Sequence, residues 1–472
     1  MERGDEKMPR NSKKQVNTIY IYAVRIGILA VLLLIFVLLV RMGDISSVTS
    51  EKTDSESLTE LDAEQSDSSE STAEDATALI AIGGDIMAHD AVTEGAYDSE
   101  TDSYDFTQYF TYAGTWFQDA DLAIANLETT FGGTASGYPM FSSPDDLADS
   151  LKELGFDLLT TANNHCMDSY SEGVVRTIEV LDAAGLDHVG TNASQEAYDE
   201  NMGVVVEDVN GITIAFLDYT YGLNYMTPDD DYLVNLFNLN TSDESEAAME
   251  IDTDKLDAEM EYARSLNTDL IIVMMHWGTE YDTTQSTYQE ELADYLIARG
   301  ADAVIGGHAH VAQPMEYRTV TDIDGNEVTG FVCYSLGNLL SNMSASNTYV
   351  TAVLNLEITR TDGETVISGI SYEPMYLLNP GNSGTTPLVL LDIPAVLEDY
   401  DNGISNPYVT ESMYETLQNK MTLLSEIFGS EWDVSYEVLK DEEDASDEDE
   451  LSDSDSDEAD SGDSESGTIL SF

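Results

Sequence analysis

The stretch ALIAIGGD, residues 78–85, is the first of five short hydrophobic runs that each end on a polar side chain able to bind a metal. The other four runs lie at residues 120–128 (ADLAIANLE), 157–165 (DLLTTANNH), 269–276 (DLIIVMMH) and 302–310 (DAVIGGHAH). Roughly four to eight apolar residues between polar ones are typical of a buried β-strand. In an open α/β sheet, chemistry gathers at the carboxyl ends of such strands.

The side chains at these strand ends are carboxylates, amides and imidazoles. They are Asp85, Asn126, Glu128, Asn164, His165, His276, His308 and His310. Four of the six histidines in the chain lie here, which chance placement explains poorly. This mixture of ligands suits Zn²⁺, Mn²⁺ or Fe²⁺ better than Ca²⁺, which prefers oxygen alone. The sequence therefore predicts a site for one or two divalent metal ions.

Amphipathic segments between the runs predict an α/β fold. Helical patterns with recognisable ends lie at residues 143–155, 171–185, 252–267 and 287–300. Each has a capping residue at its start or a closing Gly or Asn, and each is followed by a buried run. This alternation predicts βαβ units and a largely parallel sheet. Asn-Gly or Asp-Gly pairs at residues 210–211, 324–325 and 362–363 predict β-hairpins, which we expect to add a second sheet.

Residues 19–41 form a predicted membrane anchor. Residues 26–40 are apolar apart from one glycine, and Ile19–Ala23 extends the stretch beyond Arg25. About 20 apolar residues span a bilayer. The basic tail before it, residues 1–18, predicts a cytoplasmic N-terminus by the positive-inside rule. A cleaved signal peptide is the alternative, but no small-residue cleavage site follows the run. We therefore expect a single-pass protein of the cell membrane with an extracellular C-terminal domain.

The net charge of −75 is distributed unevenly along the chain. Residues 42–77 have the composition of a disordered acidic stalk, and residues 441–472 hold 15 acidic and no basic residues, which predicts a disordered tail. Between them we expect a folded domain over residues 78–380 and a mostly helical extension over residues 381–440, helical at 408–428. Such acidity argues against nucleic acid as a partner.

The two cysteines give no disulfide framework. Cys333 lies inside a strand-like run and is expected to be a buried, small hydrophobic residue. Cys166 follows His165 directly, so it is either a metal ligand or a packing residue, and we favour packing. An extracellular protein of this length must then be stabilised by its core.

Six short motifs together resemble a known family. They are GGDIM (83–87), NLE (126–128), ANNHCMD (162–168), HWG (276–278), GGHAH (306–310) and SLGN (335–338). In this order they resemble the motifs of CapA/PgsA-type poly-γ-glutamate capsule biosynthesis proteins, over roughly residues 78–375. That family is in turn similar to calcineurin-like metallophosphoesterases. The resemblance implies a four-layer αββα sandwich that holds two metal ions at its strand ends.

The resemblance also implies roles for individual residues. Asp85 and His310 match ligands of the first metal, His276 and His308 match ligands of the second, and Asn164 matches the asparagine ligand of the Asn-His motif. The aspartate that bridges the metals in phosphoesterases is replaced here by Asn126 or Glu128, and we assign the bridge to Glu128. His165 matches the histidine that acts as general acid, and Asp168 is expected to orient its ring. Asn338 is expected to hydrogen-bond a substrate or a ligand, or to cap the core.

One departure from the phosphoesterase pattern concerns the first metal. The pattern there is Asp-x-His, whereas this chain has Met87 two residues after Asp85. Methionine sulfur is too soft a ligand for a water-activating metal. His89 is expected either to compensate or to be a loop histidine at the rim of the site. His188 is expected to be structural.

Two functions follow from these features. The first is a membrane-anchored extracellular protein with a metal-dependent, phosphoesterase-like site, acting in synthesis, export or attachment of poly-γ-glutamate or a similar anionic capsule polymer. The second is a non-catalytic metal- or ligand-binding subunit of a polymer assembly complex. The expected partners are the membrane and the capsule polymer or its synthesis complex. Retention of the Asn-His and Gly-His-x-His motifs favours the enzyme, and the missing histidine favours the binding subunit.

Overall fold

The computed structural model describes residues 74–242, 244–379, 388–429 and 432–434. No helix within these ranges is long and apolar enough to cross a membrane. The predicted cytoplasmic tail, membrane anchor, acidic tail and nearly all of the acidic stalk lie outside the described residues.

The described residues contain seventeen strands. They are β1 (Ala76–Ile86), β2 (Tyr97–Asp98), β3 (Ser103–Tyr104), β4 (Leu122–Leu127), β5 (Leu158–Thr160), β6 (Asp187–Val189), β7 (Val205–Val209), β8 (Ile212–Thr220), β9 (Leu270–His276), β10 (Ala303–Gly307), β11 (Ala312–Thr321), β12 (Glu327–Leu336), β13 (Asn338–Leu340), β14 (Val350–Thr361), β15 (Glu364–Leu378), β16 (Val389–Asp392) and β17 (Asp433–Val434).

Nine α-helices accompany these strands in the described ranges. They are α1 (Asp90–Ala96), α2 (Trp116–Asp119), α3 (Asp146–Glu153), α4 (Tyr170–Ala184), α5 (Gln195–Asn201), α6 (Thr253–Ser265), α7 (Thr287–Ile297), α8 (Ile393–Asp401) and α9 (Glu411–Phe428). The helix ends agree with the sequence pattern: α4 ends at Gly185 with φ 74°, and α7 begins with a capping box between Ser286 and Gln289.

The strands form two large mixed sheets and one small ribbon. The first large sheet has the order β16-β15-β14-β1-β4-β5-β6, with β13 beside β1 and β17 beside β15. Its strands β1, β4, β5 and β6 are parallel. The second has the order β11-β12-β10-β9-β8-β7, of which β12, β10, β9 and β8 are parallel. The five predicted runs therefore supply parallel strands to both sheets.

The two large sheets pack face to face with helices on their outer faces. The inner core joins side chains of both sheets, such as Ile82 and Ile124 from the first and Phe216 and Ile272 from the second. Outside the first sheet, residues of α2, α3 and α4 form a second core. Outside the second sheet, α6 and α7 form a third. This layering is the four-layer αββα arrangement that the resemblance implies.

Two details of the predicted architecture are corrected by the structure. The three hairpins form as predicted, but they do not build the second sheet on their own. The hairpin β14–β15 extends the first sheet, and β7–β8 and β11–β12 extend the second, because each parallel group has edges that antiparallel strands can cover.

The folded domain also continues past residue 380. Strand β16 pairs with β15 from Met375↔Asp392 to Leu378↔Val389. Leu424 and Phe428 of α9 contribute to the core between the sheets. The described part of the predicted helical extension is therefore integral to the sandwich, because the inner core is completed only with its apolar side chains.

Candidate metal centre

Strand pairing in the first sheet brings three site residues side by side. Asp85 on β1 lies opposite Asn126 of β4 on one side and opposite Asn338 of β13 on the other. The Asn126 side-chain amide donates to Asp85 Oδ1 at 2.8 Å. Glu128 follows directly after the end of β4. Parallel pairing thus places all these polar groups at one edge of the sheet.

The second sheet meets this edge through the segment after β10. His276 ends β9 and lies opposite Gly307 of β10. A Cβ atom on Gly307 would lie 2.7 Å from Asp85 Oδ1, so a larger residue here would displace that carboxylate. The backbone amide of His308 then donates to Asp85 Oδ2 at 3.2 Å.

The two glycines before His308 allow close packing, whereas the two histidines themselves take the left-handed backbone conformation. Their φ angles are 84° at His308 and 58° at His310. Gly306 and Gly307 are required because of close packing, since a Cβ atom on Gly306 would lie 2.0 Å from the Tyr334 carbonyl oxygen.

These elements assemble two groups of buried ligand atoms that share Glu128. One group is Asp85, Glu128 and His310, and the other is Glu128, His276 and His308. Within each group the ligand atoms all lie within 4.8 Å of one another. Glu128 therefore belongs to both groups, and its assignment as the bridging ligand stays a prediction.

The donor set fits divalent cations. Glu128 is fully buried, yet neither of its carboxylate oxygens has a hydrogen-bond partner, and the buried His308 Nδ1 also has none. A buried carboxylate without hydrogen-bond partners is costly even with His310 Nδ1 at 3.9 Å, and a bound cation lowers that cost. The combination of imidazole nitrogen and carboxylate oxygen matches Zn²⁺, Mn²⁺ or Fe²⁺.

Burial shifts the pKa values of the ligand groups. It raises the pKa of Glu128 well above its usual value, and nearby Asp85 and Glu280 add to this while His310 opposes it. It lowers the pKa of His276 and His308 well below the usual value, helped by the other histidines, so both rings are neutral and able to bind metal. At His310 burial also lowers the pKa, but Glu128 and Asp85 outweigh it and raise it to about 9.

Three asparagines surround the ligand groups. Asn164 Oδ1 lies 2.9 Å from His276 Nε2, where it can share a metal with that ring. Asn126 Nδ2 lies 3.3 Å from His276 Nδ1. Asn338 Oδ1 lies 3.0 Å from His310 Nδ1 and so orients that imidazole instead of capping the core alone. Ligand rings held in this way keep one orientation.

His165 lies beside the metal ligands and pairs with Asp168. Its Nδ1 is 2.7 Å from Asp168 Oδ2, and the same carboxylate oxygen accepts from the Phe141 backbone amide at 2.5 Å. The ring of Phe141 packs edge-on against His165, with centroids 4.7 Å apart. This arrangement fixes the ring and leaves Nε2 available for a substrate.

Four other predicted residues lie outside both ligand groups. His89 precedes α1, accepts from the Asn342 backbone amide at 3.3 Å and packs against Phe141, so it is a rim residue and does not replace the missing histidine. Cys333 is buried in β12, and Cys166 packs in a small apolar cluster. His188 lies on β6, where its Nε2 is 3.8 Å from Asp182 Oδ1, and it belongs to neither ligand group.

The sequence did not indicate three residues that support the site. Asp218 on β8 accepts the Thr161 and Ala162 amides at 2.9 and 2.7 Å, and so holds the loop that carries Asn164 and His165. The ring of Tyr221 packs against His308, with centroids 4.5 Å apart. Asn224 accepts from Asn164 Nδ2 at 3.3 Å. The only sequence signal was that Asp218 and Tyr221 lie at the end of a hydrophobic run.

Curated relatives share about half of their length with this chain. The capsule biosynthesis protein CapA of Bacillus anthracis is 29% identical over 230 residues, 48% of this chain and 50% of that protein. The PGA biosynthesis protein CapA of Bacillus subtilis (strain 168) is 29% identical over 210 residues, 44% of this chain and 48% of that protein.

Two solved structures are also similar to this chain, with low TM-scores. The calcineurin-like phosphoesterase YfkN from Bacillus subtilis is 13% identical with a TM-score of 0.33 and covers 70% of this chain and 98% of that chain. A protein of Thermus thermophilus, TT1561, is 9% identical with a TM-score of 0.29, covering 61% of this chain and 99% of that one.

The model of the family described as bacterial capsule synthesis protein PGA_cap matches residues 79–343, more than half of the 472 residues. The chain therefore belongs to the bacterial capsule synthesis protein family PGA_cap.

Proposed function

We propose that this protein is a metal-dependent hydrolase of the phosphoesterase type that works on the cell surface in the assembly, export or attachment of an anionic capsule polymer. The relative from Bacillus subtilis is named a PGA biosynthesis protein, which supports poly-γ-glutamate or a similar polymer. The apolar run at residues 26–40, preceded by basic residues, supports a membrane anchor with the domain outside.

The observation that carries the proposal is the position of Glu128. Its two oxygens have no hydrogen-bond partner, and it belongs to both buried ligand groups. Asp85 and His310 would hold one cation with it, and His276, His308 and Asn164 would hold the other. When bound, such divalent ions supply the charge that activates water and polarises the bond under attack.

The remaining chemistry falls to the residues of the chain itself. The contact between His165 Nδ1 and Asp168 requires hydrogen on Nδ1, so it orients the ring with Nε2 towards the site. Protonated also at Nε2, His165 can donate a proton to a leaving group. Asp168 in turn is held by the Phe141 amide, so the pair is fixed before substrate binds.

The test measures bound metal and hydrolysis in the same preparation. We expect about two equivalents of Mn²⁺, Zn²⁺ or Fe²⁺ per chain and hydrolysis of bis(p-nitrophenyl) phosphate that a chelator abolishes. The His165→Ala variant should retain its bound metal. It should hydrolyse substrates with poor leaving groups much more slowly than wild type, and substrates with good leaving groups only moderately more slowly. A wild-type protein that binds no divalent metal would refute the proposal.

A second candidate, the non-catalytic binding subunit, is favoured by Met87. This residue is buried and occupies the place of the expected histidine. One metal equivalent, no hydrolysis of any phosphoester, and loss of polymer production in His165→Ala cells would together favour this function. The same variant thus separates the two candidates.

A further inference from the structure

Exposed tyrosines stand at the rim of the metal centre. Tyr138 is 73% exposed and Tyr281 is 45% exposed, whereas their ring neighbours Phe141 and His310 are buried. Large aromatic side chains with this exposure offer a flat apolar face and a hydroxyl group to a ligand. Neither was indicated by the sequence.

The Tyr281 ring lies beside a metal-ligand candidate, and the Tyr138 ring is separated from His165 by one other ring. Tyr281 lies beside His310, with ring centroids 6.3 Å apart. The ring centroids of Tyr138 and Phe141 are 6.3 Å apart, and Phe141 is the ring that packs on His165. One tyrosine therefore lies beside a proposed metal ligand, and the other lies beside the ring that contacts His165.

The position of Tyr281 is fixed before any ligand binds. Its backbone has φ 69°, an unfavourable conformation for a tyrosine, and its amide donates to the Ala309 carbonyl at 2.8 Å. The side chain of the buried Gln313 donates to the backbone carbonyls of Asp282 at 2.8 Å and of Thr284 at 3.3 Å. Strained residues that the surrounding structure holds in place are concentrated at functional sites.

No basic side chain of the described ranges contacts this centre. Each of the eight Lys and Arg residues there has partners elsewhere: Lys152 with Asp157, Arg176 with Asp145, Lys255 with Glu259, Arg264 with the Arg299 carbonyl, Arg299 with Asp257, Arg318 with Asp294, Arg360 with Asp269 and Lys420 with Asn347. Sites for doubly charged phosphate groups commonly use Arg or Lys. Here Glu280 adds negative charge instead.

We propose that Tyr138 and Tyr281 form a binding subsite for a flat, uncharged ring next to the bond that is cleaved, and that the phosphate group carries a single negative charge. The ring packs on the phenols, and the singly charged diester needs no basic side chain. The inference rests on the proposed function and names its substrate class as a ring-bearing phosphodiester, in preference to a phosphomonoester.

The test compares three small probes by calorimetric titration of the full chain loaded with Mn²⁺. Diphenyl phosphate carries rings and one charge, dimethyl phosphate carries one charge without a ring, and phenyl phosphate carries a ring and two charges. We expect diphenyl phosphate to bind most tightly. Tyr281→Ala and Tyr138→Ala should each lower the affinity for diphenyl phosphate about fivefold, because each removes one aromatic contact. Neither change should alter the affinity for dimethyl phosphate. Tyr281→Phe should retain most of the affinity.

Tyr97→Ala is the matched control, because Tyr97 is 43% exposed on the β2–β3 ribbon and packs on Tyr104. Metal content measured for every variant separates this inference from the proposed function. Metal-loaded protein that binds phenyl phosphate most tightly, or that binds no diester, overturns the subsite alone. Tyrosine-dependent binding of diphenyl phosphate without hydrolysis of any ester supports the subsite and contradicts the catalytic proposal.

Discussion

Glu128 lies between two sets of side chains, Asp85 with His310 on one side and His276 with His308 on the other. Because it belongs to both sets, its charge is the one that each bound cation would share. A ligand at the edge of a site affects one ion, whereas a bridging ligand affects both. The two kinds of residue can therefore be told apart by counting metal.

We expect Glu128→Gln to weaken the binding of both ions and His276→Ala to weaken mainly the binding of one. The glutamine keeps the size of the side chain but loses the charge. Loss of even an outer partner of a metal ligand costs about 10- to 100-fold in affinity, so the effect of Glu128→Gln should be at least this large. Metal analysis after dialysis measures it. His188→Ala, on β6 away from the ligand groups, is the control; equal losses in all three variants would indicate misfolding instead.

His310 gives the centre a defined pH dependence. In the metal-free protein its pKa is raised to about 9, so the ring is protonated at pH 7. A metal ligand must be deprotonated, so binding at this residue releases a proton and the affinity rises as the pH increases towards 9. His276 and His308 are already neutral and release none.

Calorimetry in buffers of different ionisation enthalpy measures this release. We expect about one proton from His310 per first-site ion at pH 7, in addition to any that Glu128 releases, and clearly less at pH 9.5. Because the pKa of His310 lies above its ordinary value, the metal-free protein gains stability from the protonated ring at low pH and loses it as the pH rises through about 9. A proton count that does not change with pH would contradict the assignment of His310 as a ligand.

At the scale of elements, the loop after β5 depends on a neighbouring strand of the other sheet. Asp218 on β8 accepts the amides of Thr161 and Ala162, at the start of the loop that carries Asn164 and His165. All of these groups are buried. The contact therefore sets the position of both the metal ligand and the proposed acid.

Asp218→Ala should destabilise the fold and weaken the metal site together. It leaves the buried Ala162 amide without an acceptor, at a cost of about 1–3 kcal/mol, whereas the Thr161 amide keeps the Val189 carbonyl at 2.9 Å. Asp218→Asn retains an acceptor oxygen of the same reach and should recover much of the loss. Urea unfolding measures the first effect and metal titration the second. A metal affinity unchanged in folded Asp218→Ala protein would show that the loop is held by other contacts.

These elements also show what the sequence predicts and what it does not. Strand ends carrying Asp85, His276 and His308 follow from hydrophobic periodicity, because parallel strands align their carboxyl ends. Tyr281 follows no such pattern, because it lies in a loop whose position depends on contacts such as those of Gln313 with loop carbonyls. The inclusion of α9 in the core was missed because its apolar face does not reveal its partner.

At the scale of the whole molecule, charge decides how the protein can meet an anionic polymer. The chain carries −75, and no basic side chain contacts the described metal centre. Poly-γ-glutamate is itself a polyanion, so direct association over a broad surface is electrostatically opposed. If such a polymer is the partner that we propose, contact must be local, at the metal centre, or bridged by divalent cations.

We therefore expect no association of the protein with poly-γ-glutamate in chelator and clear association in millimolar Mg²⁺ or Mn²⁺. Co-sedimentation at physiological salt measures it, because screening at this ionic strength leaves short-range cation contacts intact. His276→Ala should weaken association if the polymer binds at the metal centre, whereas deletion of residues 441–472, with their 15 acidic side chains, should weaken it if cations bridge the acidic tail. Tight binding in chelator would contradict both routes, because it requires a basic surface that the eight engaged Lys and Arg residues of the described ranges do not provide.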